Sequence, residues 1–539
     1  MSLFFVISLF FVISLFFVIS LFFVISLFPI FLILNTYYTS RASAISPSMH
    51  EVVSLSCSHA SGHLLTHLYN VQETHIPYAK NAKLSHSNSV FLWPVKAGAR
   101  CNYYPRSLSI ELAGGYGYLG KYEFKDPKVD LAAFGNEVEV RKQERVEKND
   151  FQRLLDAGAR PDGALLNTAN TSYWTDYNKL VYRPASLLQL ENYVHPMGNH
   201  KHFQKLLFKE YNVGEEEFAL LFDAVDDSFR KNLEALDMIQ GINFVSEVDN
   251  AWGGFTNEMM VQLKDEYFNN GANSKHNLWC YGLLAQKPNM LTRIKSIVEF
   301  SKNSSLFMPL SLPHQQTSLL SPEFDISSLW HRAAVYALFV NLIWGLNCQL
   351  ELPVRMAEIE ANLLRGFDRR NIVNEIRIEE TEKQASPDQF GQKQENPDQF
   401  GLVADANIMD MYLGQAQNAN QKQKYINLGI SGEAKAIGKR ATIAKLQDPE
   451  SESNHYVNPY IDEIVDVDTT PSIFSKSFST TFGQNVSLKD TLKEYRKVIQ
   501  RVRLPQHLQV IGDKAELVED LSQLIDEYTL DYEDESDYE

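Results

Sequence analysis

Three histidines, His59, His63 and His67, recur at i, i+4 and i+8. On one helix they would share a face, and two histidines in HxxxH spacing can hold zinc. No glutamate base follows the first of them as in HExxH. Gly62 and the neighbouring serines put His59 in a loop, so the spacing reads as a polar helix face. His195, His200 and His202 surround Pro196 and Gly198, a turn signature, and read as exposed loop histidines. Asp223, Asp226 and Asp227 bring carboxylates close enough for acid–base work, but inside a helical pattern they read as a solvated face. Tyr173, Trp174 and Tyr177 read either as a partner-binding patch or as a core edge under a loop. No GxSxG and no Walker A sequence is present. Gly253-Gly254, between a short apolar strand and a helical pattern, could cradle a phosphate. The same pair also lets strand and helix pack closely. Cys57, Cys101, Cys280 and Cys348 are scattered without a CxxC pair, which fits reduced thiols better than a disulfide framework or a zinc knuckle.

The elements that would carry these residues read as an open α/β sheet. Residues 51–56 alternate as a strand, a polar turn runs from Cys57 to Gly62, and Leu64, Leu65, Leu68 and Val71 then recur at helical spacing. Ser107 to Leu112 is a second strand, ending in the turn of Gly114, Gly115 and Gly117. Residues 125–165 are charged and loop-like. Residues 184–195 and 201–211 read as helices, and Asn212 to Glu217 as a turn into a helix reaching about Gln240. Ile242 to Val245 is a short strand, followed by a helix from about Thr256 that buries Met259, Met260, Leu263 and Tyr267. Asn277 to Leu284 is another strand. Leu329 to Trp344 is apolar almost all round, long enough for a core helix and short for a membrane span.

Further along, KQASPDQFGQ is followed by KQENPDQFGL within residues 381–402, a surface linker or disordered insertion. Residues 403–470 are polar and poorly patterned. Order returns at Ser487, where Leu488, Leu492, Tyr495, Ile499 and Val502 recur at helical spacing, with Ser487 and Asp490 as a capping box. Asp526 to Glu539 carries eight acids and no base. The expected divisions are 1–48, 49–165, 166–350, 351–475 and 476–539.

Composition bounds the partners. The chain has 539 residues, 44% hydrophobic and 22% charged, with a formal net charge of -17. That balance excludes nucleic acid as a direct partner, because phosphate binding needs clustered bases. It also disfavours docking on an anionic membrane surface. The hexapeptide SLFFVI occurs four times from Ser2 to Ile25, and apolar residues continue to Leu34. A helix over this run would exceed the ~20 residues that span a bilayer, so residues 2–34 would make a membrane anchor if retained. No basic n-region precedes them, and a start at Met49, just before the first strand, is the preferred reading.

Met49 to Glu73 resembles the first strand, phosphate loop and first helix of tubulins, and its closing Tyr69-Asn-Val-Gln-Glu is close to the Misato branch of that superfamily. Tyr104-Pro105-Arg106 and the strand after it resemble the tubulin stretch that ends in an acidic loop. Gly241 to Tyr267 resembles the strand, GGGTGSG loop and helix. The stretch around Tyr173 to Tyr177, with Tyr182-Arg183-Pro184, is also similar to Misato proteins. The resemblance covers most of residues 49–285.

It implies a tubulin-like α/β fold: a mostly parallel sheet flanked by helices, a central buried helix and a smaller α+β C-terminal region. It also implies a nucleotide-loop relic at Cys57, Ser58, Glu111, Gly114, Asp249, Asn250, Gly253 and Gly254. Ser58 and His59 replace the core of the first loop, and Ala113 stands at the second acid of the acidic loop. Asp249 would turn negative charge towards phosphate, and Trp252 would add bulk where a glycine belongs. Expected from this are no GTPase activity and no cofactor, GTP included. The resemblance further implies a role in mitochondrial partitioning and mitochondrial DNA inheritance, in the mitochondrion and also the cytoplasm. Its partners would be proteins such as tubulin or assembly machinery.

Overall fold

The first strand alternates Val and Leu with small serines, and as a central parallel strand it is covered on both faces, its serines included. In the computed structural model it is β1, Glu51–Cys57, buried along its whole length. The structure describes residues 50–77, 86–98, 100–119, 146–197, 207–268, 276–312, 320–350, 353–364, 368–380, 410–414, 424–431, 446–447, 454–457, 463–474, 478–485 and 488–529. The leader 1–48, the decapeptides, His200, His202, Ser487 and most of the acidic tail lie outside them.

A hairpin of β2 (Leu92–Ala97) and β3 (Arg100–Pro105) leads into β4, Ser107–Ala113. With β5 (Leu187–Val194), β6 (Ile239–Glu247), β7 (Asn277–Leu283) and β8 (Leu306–Leu310) these build a six-stranded sheet in the order β5-β4-β1-β6-β7-β8. Every neighbouring pair is parallel. The order turns around at β1, with β4 on one side and β6 on the other. In open α/β sheets ligand clefts form at such a reversal, beyond the carboxyl ends of the strands.

The helices are α1 (His59–Thr74), α2 (Asp150–Asp156), α3 (Tyr211–Leu233), α4 (Ala251–Leu263), α5 (Met290–Asn303), α6 (Leu329–Asn347), α7 (Met356–Leu364), α8 (Glu463–Asp466), α9 (Leu488–Arg501), α10 (Pro505–Ile511) and α11 (Lys514–Glu527). α6 is long and apolar enough to cross a membrane by length and composition, but 89% of that window is buried in the protein. It is a core helix: Trp344 stacks on Phe91 with centroids 3.7 Å apart, and Phe339 meets Phe482 at 5.1 Å. Phe482 belongs to a second, mixed sheet of β9 (Glu375–Glu380), β10 (Asp410–Gly414), β11 (Lys424–Ser431), β12 (Leu446–Gln447), β13 (Asn454–Val457) and β14 (Phe478–Asn485), in the order β10-β9-β14-β11-β13-β12. The fold is therefore the α/β, tubulin-like arrangement that the sequence implied.

Several local expectations need correction. Residues 184–195 are not a helix: a single 3-10 turn at Pro184–Ser186 precedes β5. β5 is an edge strand with exposed polar residues, which blurs the alternation of a strand. Asn212 to Glu217 is already helical within α3, which ends at Leu233 and not near Gln240. In the segment 201–211, the described residues from Leu207 to Glu210 precede that helix. α4 starts at Ala251, one turn earlier than expected, because Asn250 caps it. Part of the 125–165 stretch is helical, in α2.

Candidate functional site

The loops that leave β1, β4, β6 and β7 converge at the carboxyl end of the sheet. Ser58, between β1 and α1, has φ 139°, a conformation that favours glycine. It stands at the glycine of the resembling loop, so that turn survives with a serine in it. Its Oγ accepts from Ser61 N at 3.2 Å and caps α1. Asn250 does the same for α4, its Oδ1 accepting from Trp252 N at 3.0 Å. Helix N-terminal amides are what a phosphate would use, and at both helices a side chain of the chain already takes one of them.

The acids of the loops also have internal partners. His59 is the first residue of α1 and not a loop residue as the sequence suggested. Its Nδ1 lies 3.0 Å from Glu111 Oε1 and its Nε2 3.0 Å from Ser172 O. Both neighbours are acceptors, so the ring carries both protons and forms a buried ion pair with Glu111. Burial alone would push the His59 pKa down, but the Glu111 charge and hydrogen bond and the Ser172 carbonyl outweigh it and hold the pKa above the ordinary value. Gly115 is needed beneath this pair, because a Cβ there would stand 2.5 Å from Glu111 Oε2. Gly114, at φ 86°, supplies the turn.

Asp249 is held on the other side of the sheet reversal. Arg293 NH2 donates to its Oδ2 at 2.7 Å, Arg293 Nε bonds its Oδ1, and Ala285 N also donates to it. Asp249 therefore offers no free charge to a phosphate. The expectation for Trp252 is corrected in a similar way: its indole is 3% exposed and packs against Phe208 and Phe255 with centroids 4.9 and 5.4 Å away. Gly253 and Gly254 serve contacts between helices. A Cβ on Gly254 would lie 2.0 Å from Tyr211 O on α3, and one on Gly253 2.1 Å from Ser296 Oγ on α5. Gly214 answers Gly254 from α3, where a Cβ would meet Ala251 O at 1.7 Å. Cys57 is buried, and burial pushes its thiol up to about 12, far from a reactive thiolate.

The histidines form a buried array. His63 Nδ1 lies 2.9 Å from Tyr177 Oη, and His67 Nε2 lies 3.0 Å from Trp330 O. His195 is buried and not exposed; its ring is 4.2 Å from that of His59. Burial, together with the cationic His59, pushes His63 well down and His195 to about 3, while burial brings His67 to about 4. One imidazolium thus sits among neutral rings. Among the described residues no group of His, Cys, Asp and Glu is placed to hold a metal. Trp174 and Tyr177 are buried at 1% and 0%, so the aromatic cluster is a core edge and not an open patch. Asp226 bonds the Tyr267 hydroxyl and Asp227 pairs with Arg230 and Lys231, leaving a helix face of ordinary surface charges.

A small cleft remains beside these loops, lined by Leu284, Ala285, Arg293, Leu312, Arg332 and Tyr336. It offers water about 20 Å³, room for about one molecule. Sequence reasoning missed Arg293 and Ser172. Neither sits in a motif, and both act across long loops on residues that do.

Comparison with known proteins places this geometry. A family model for the Misato Segment II tubulin-like domain matches residues 50–157, and one for a tubulin domain matches residues 163–347. Protein DML1 of Debaryomyces hansenii is 40% identical over 509 residues, covering 91% of this chain and 99% of that protein. Protein DML1 of Candida albicans is 35% identical over 91% of this chain and 100% of its own length. Protein DML1 of Scheffersomyces stipitis is 32% identical with the same coverage. With relatives matched along nearly their whole length and the tubulin-like sheet in place, the chain belongs to the Misato family of tubulin-like proteins, alongside these DML1 proteins.

Proposed function

We propose that this protein works without GTP hydrolysis, as a tubulin-like scaffold in mitochondrial partitioning and mitochondrial DNA inheritance. The observation that carries the non-catalytic part is the internal closure of the loops. Asn250 and Ser58 cap the two helices, Arg293 holds Asp249, and His59 holds Glu111. A metal–phosphate group would have to displace charged partners buried at 0 to 7% side-chain exposure, and breaking such pairs is costly. The mitochondrial part rests on the family resemblance. A formal charge of -17 favours an indirect effect on DNA through protein partners, with tubulin and assembly machinery as candidates.

The test is titration of the purified chain with a fluorescent GTP analogue, with and without Mg²⁺, alongside a turnover assay. No saturable binding and no turnover support the scaffold. Depletion in cells should then lower mitochondrial DNA copy number and disturb mitochondrial distribution; unchanged mitochondria would refute that role. A second reading, a GTP-binding and self-assembling protein, draws on Arg293 and Arg332 at the cleft, since guanidiniums suit phosphate. Saturable Mg²⁺-dependent binding would favour it. The N-terminal mass of the endogenous protein decides whether residues 2–34 could add a membrane anchor.

A further inference from the structure

α9 carries a line of bases that the core does not explain. Lys489, Lys493, Lys497 and Arg501 recur every four residues, and Arg503 follows. Residues four apart share a helix face, so the four cations form a stripe along the helix. The opposite side, with Leu488, Leu492, Tyr495 and Ile499, is buried. Among the described residues Lys497 pairs with the exposed Glu494 on the same helix. Lys489, Lys493, Arg501 and Arg503 form no salt bridge among the described residues. Asp490 and Glu494 share this face, so on a chain of net charge -17 the helix keeps a net positive surface that its own two acids only partly offset.

The counter-charge leaves from close by. α11 packs against α9 in the antiparallel sense: Lys514 Nζ donates to Gln500 O and Val502 O at 2.8 and 2.9 Å, and Arg496 NH1 donates to Ser522 Oγ at 3.1 Å. The end of α11 therefore lies beside the first turns of α9. It is fixed there, because Tyr528 is fully buried and its hydroxyl accepts from Ile372 N at 3.0 Å. Residues 530–539 follow and hold Asp531, Glu533, Asp534, Glu535, Asp537 and Glu539 with no base. Ten residues reach up to ~33 Å when extended, and a helix the length of α9 is ~21 Å long. The segment can run the full stripe. α11 itself presents Glu516, Glu519, Asp526 and Glu527, which turns a negative segment away from its own helix.

We propose that residues 530–539 dock along the Lys489–Arg501 stripe of α9 in the same chain and cover a surface that otherwise takes acidic peptides. A tethered segment acts at an effective concentration on the order of mM, so it outcompetes a free peptide of equal affinity.

The test uses a fluorescent peptide with the sequence of residues 530–539, titrated at low salt. A chain ending at Thr529 should bind it, and the full chain should bind it at least about tenfold more weakly. The full-length variant with every acid from Asp531 to Glu539 changed to its amide should behave like the shortened chain, which controls for truncation. Adding Lys493→Glu, Lys497→Glu and Arg501→Glu to the shortened chain should abolish binding, with an unchanged melting profile as the check on folding. Equal binding by full and shortened chains, no binding by the shortened chain, or binding that survives the charge reversal would each overturn the proposal. So would a full chain whose mass rises with concentration only while both stripe and acids are intact, which would place the segment on a second copy.

Discussion

Asp249 and Arg293, 44 residues apart, meet as a two-pronged ion pair beyond the end of β6, each nearly excluded from water. The pair ties the loop after β6 to α5, and Ala285 N adds the loop after β7. Arg293→Met should leave a buried carboxylate facing a single amide and cost about 3–5 kcal/mol. Asp249→Asn in the same chain should recover most of that loss. Urea unfolding of the two single variants and the double variant measures it, and strictly additive losses would show that the two residues are not coupled.

Gly254→Ala should destabilise the protein by about 1–3 kcal/mol or more, as overpacking does. The added methyl would press on the Tyr211 carbonyl, which is backbone and cannot swing aside. Gly158→Ala is the control. Nothing lies within 4 Å of its Cβ position, and only its φ of 72° opposes the change, a cost of roughly 1–2 kcal/mol. Thermal melts that rank Gly158→Ala as the worse change would contradict the helix-crossing account.

The buried titrating groups give opposite pH signatures. His67 has its pKa lowered by burial to about 4, so between about 4 and 6.5 the unfolded chain binds the proton first, and the group's contribution is lost as pH falls through that window. The stability of His67→Gln relative to the parent should therefore improve from pH 7 to pH 5, by up to about 1.4 kcal/mol per pH unit. Asp176 is raised to about 7 by burial, against the pull of its Tyr173 amide. Its contribution is present below the unfolded value and is lost as pH rises through about 7. Asp176→Asn should gain on the parent from pH 6 to pH 8. Denaturant midpoints from pH 5 to pH 8 check both signs.

Glu111→Gln should release His59 from its charged state. The carboxylate beside the ring is what outweighs burial. Histidine-selective ¹⁵N spectra at pH 7 should lose one doubly protonated ring in the variant. A spectrum that keeps it would show that Ser172 O alone suffices.

The layers of the protein were legible in the sequence where a pattern is local. β1, β4, β7, α6 and α9 lie where alternation, helical spacing and all-round hydrophobicity placed them. β5 was not, because an edge strand with polar residues loses its period. The helix starts were misplaced by a few residues because side-chain caps at Ser58 and Asn250, and not the hydrophobic pattern, decide them. The site residues were recognisable as positions and not as interactions. Nothing in the sequence ties Asp249 to Arg293 or His59 to Ser172, since each pairing is made by the fold across a long loop.

The neighbours of α6 also set an order of events during synthesis. Its Trp344 rests on Phe91, already made, but its Phe339 waits for Phe482. A ribosome adds about 5–20 residues per second, so the roughly 140 residues between Phe339 and Phe482 take on the order of ten to thirty seconds. For that interval one flank of an apolar helix lacks its final cover. A nascent chain halted between the two positions should expose that flank.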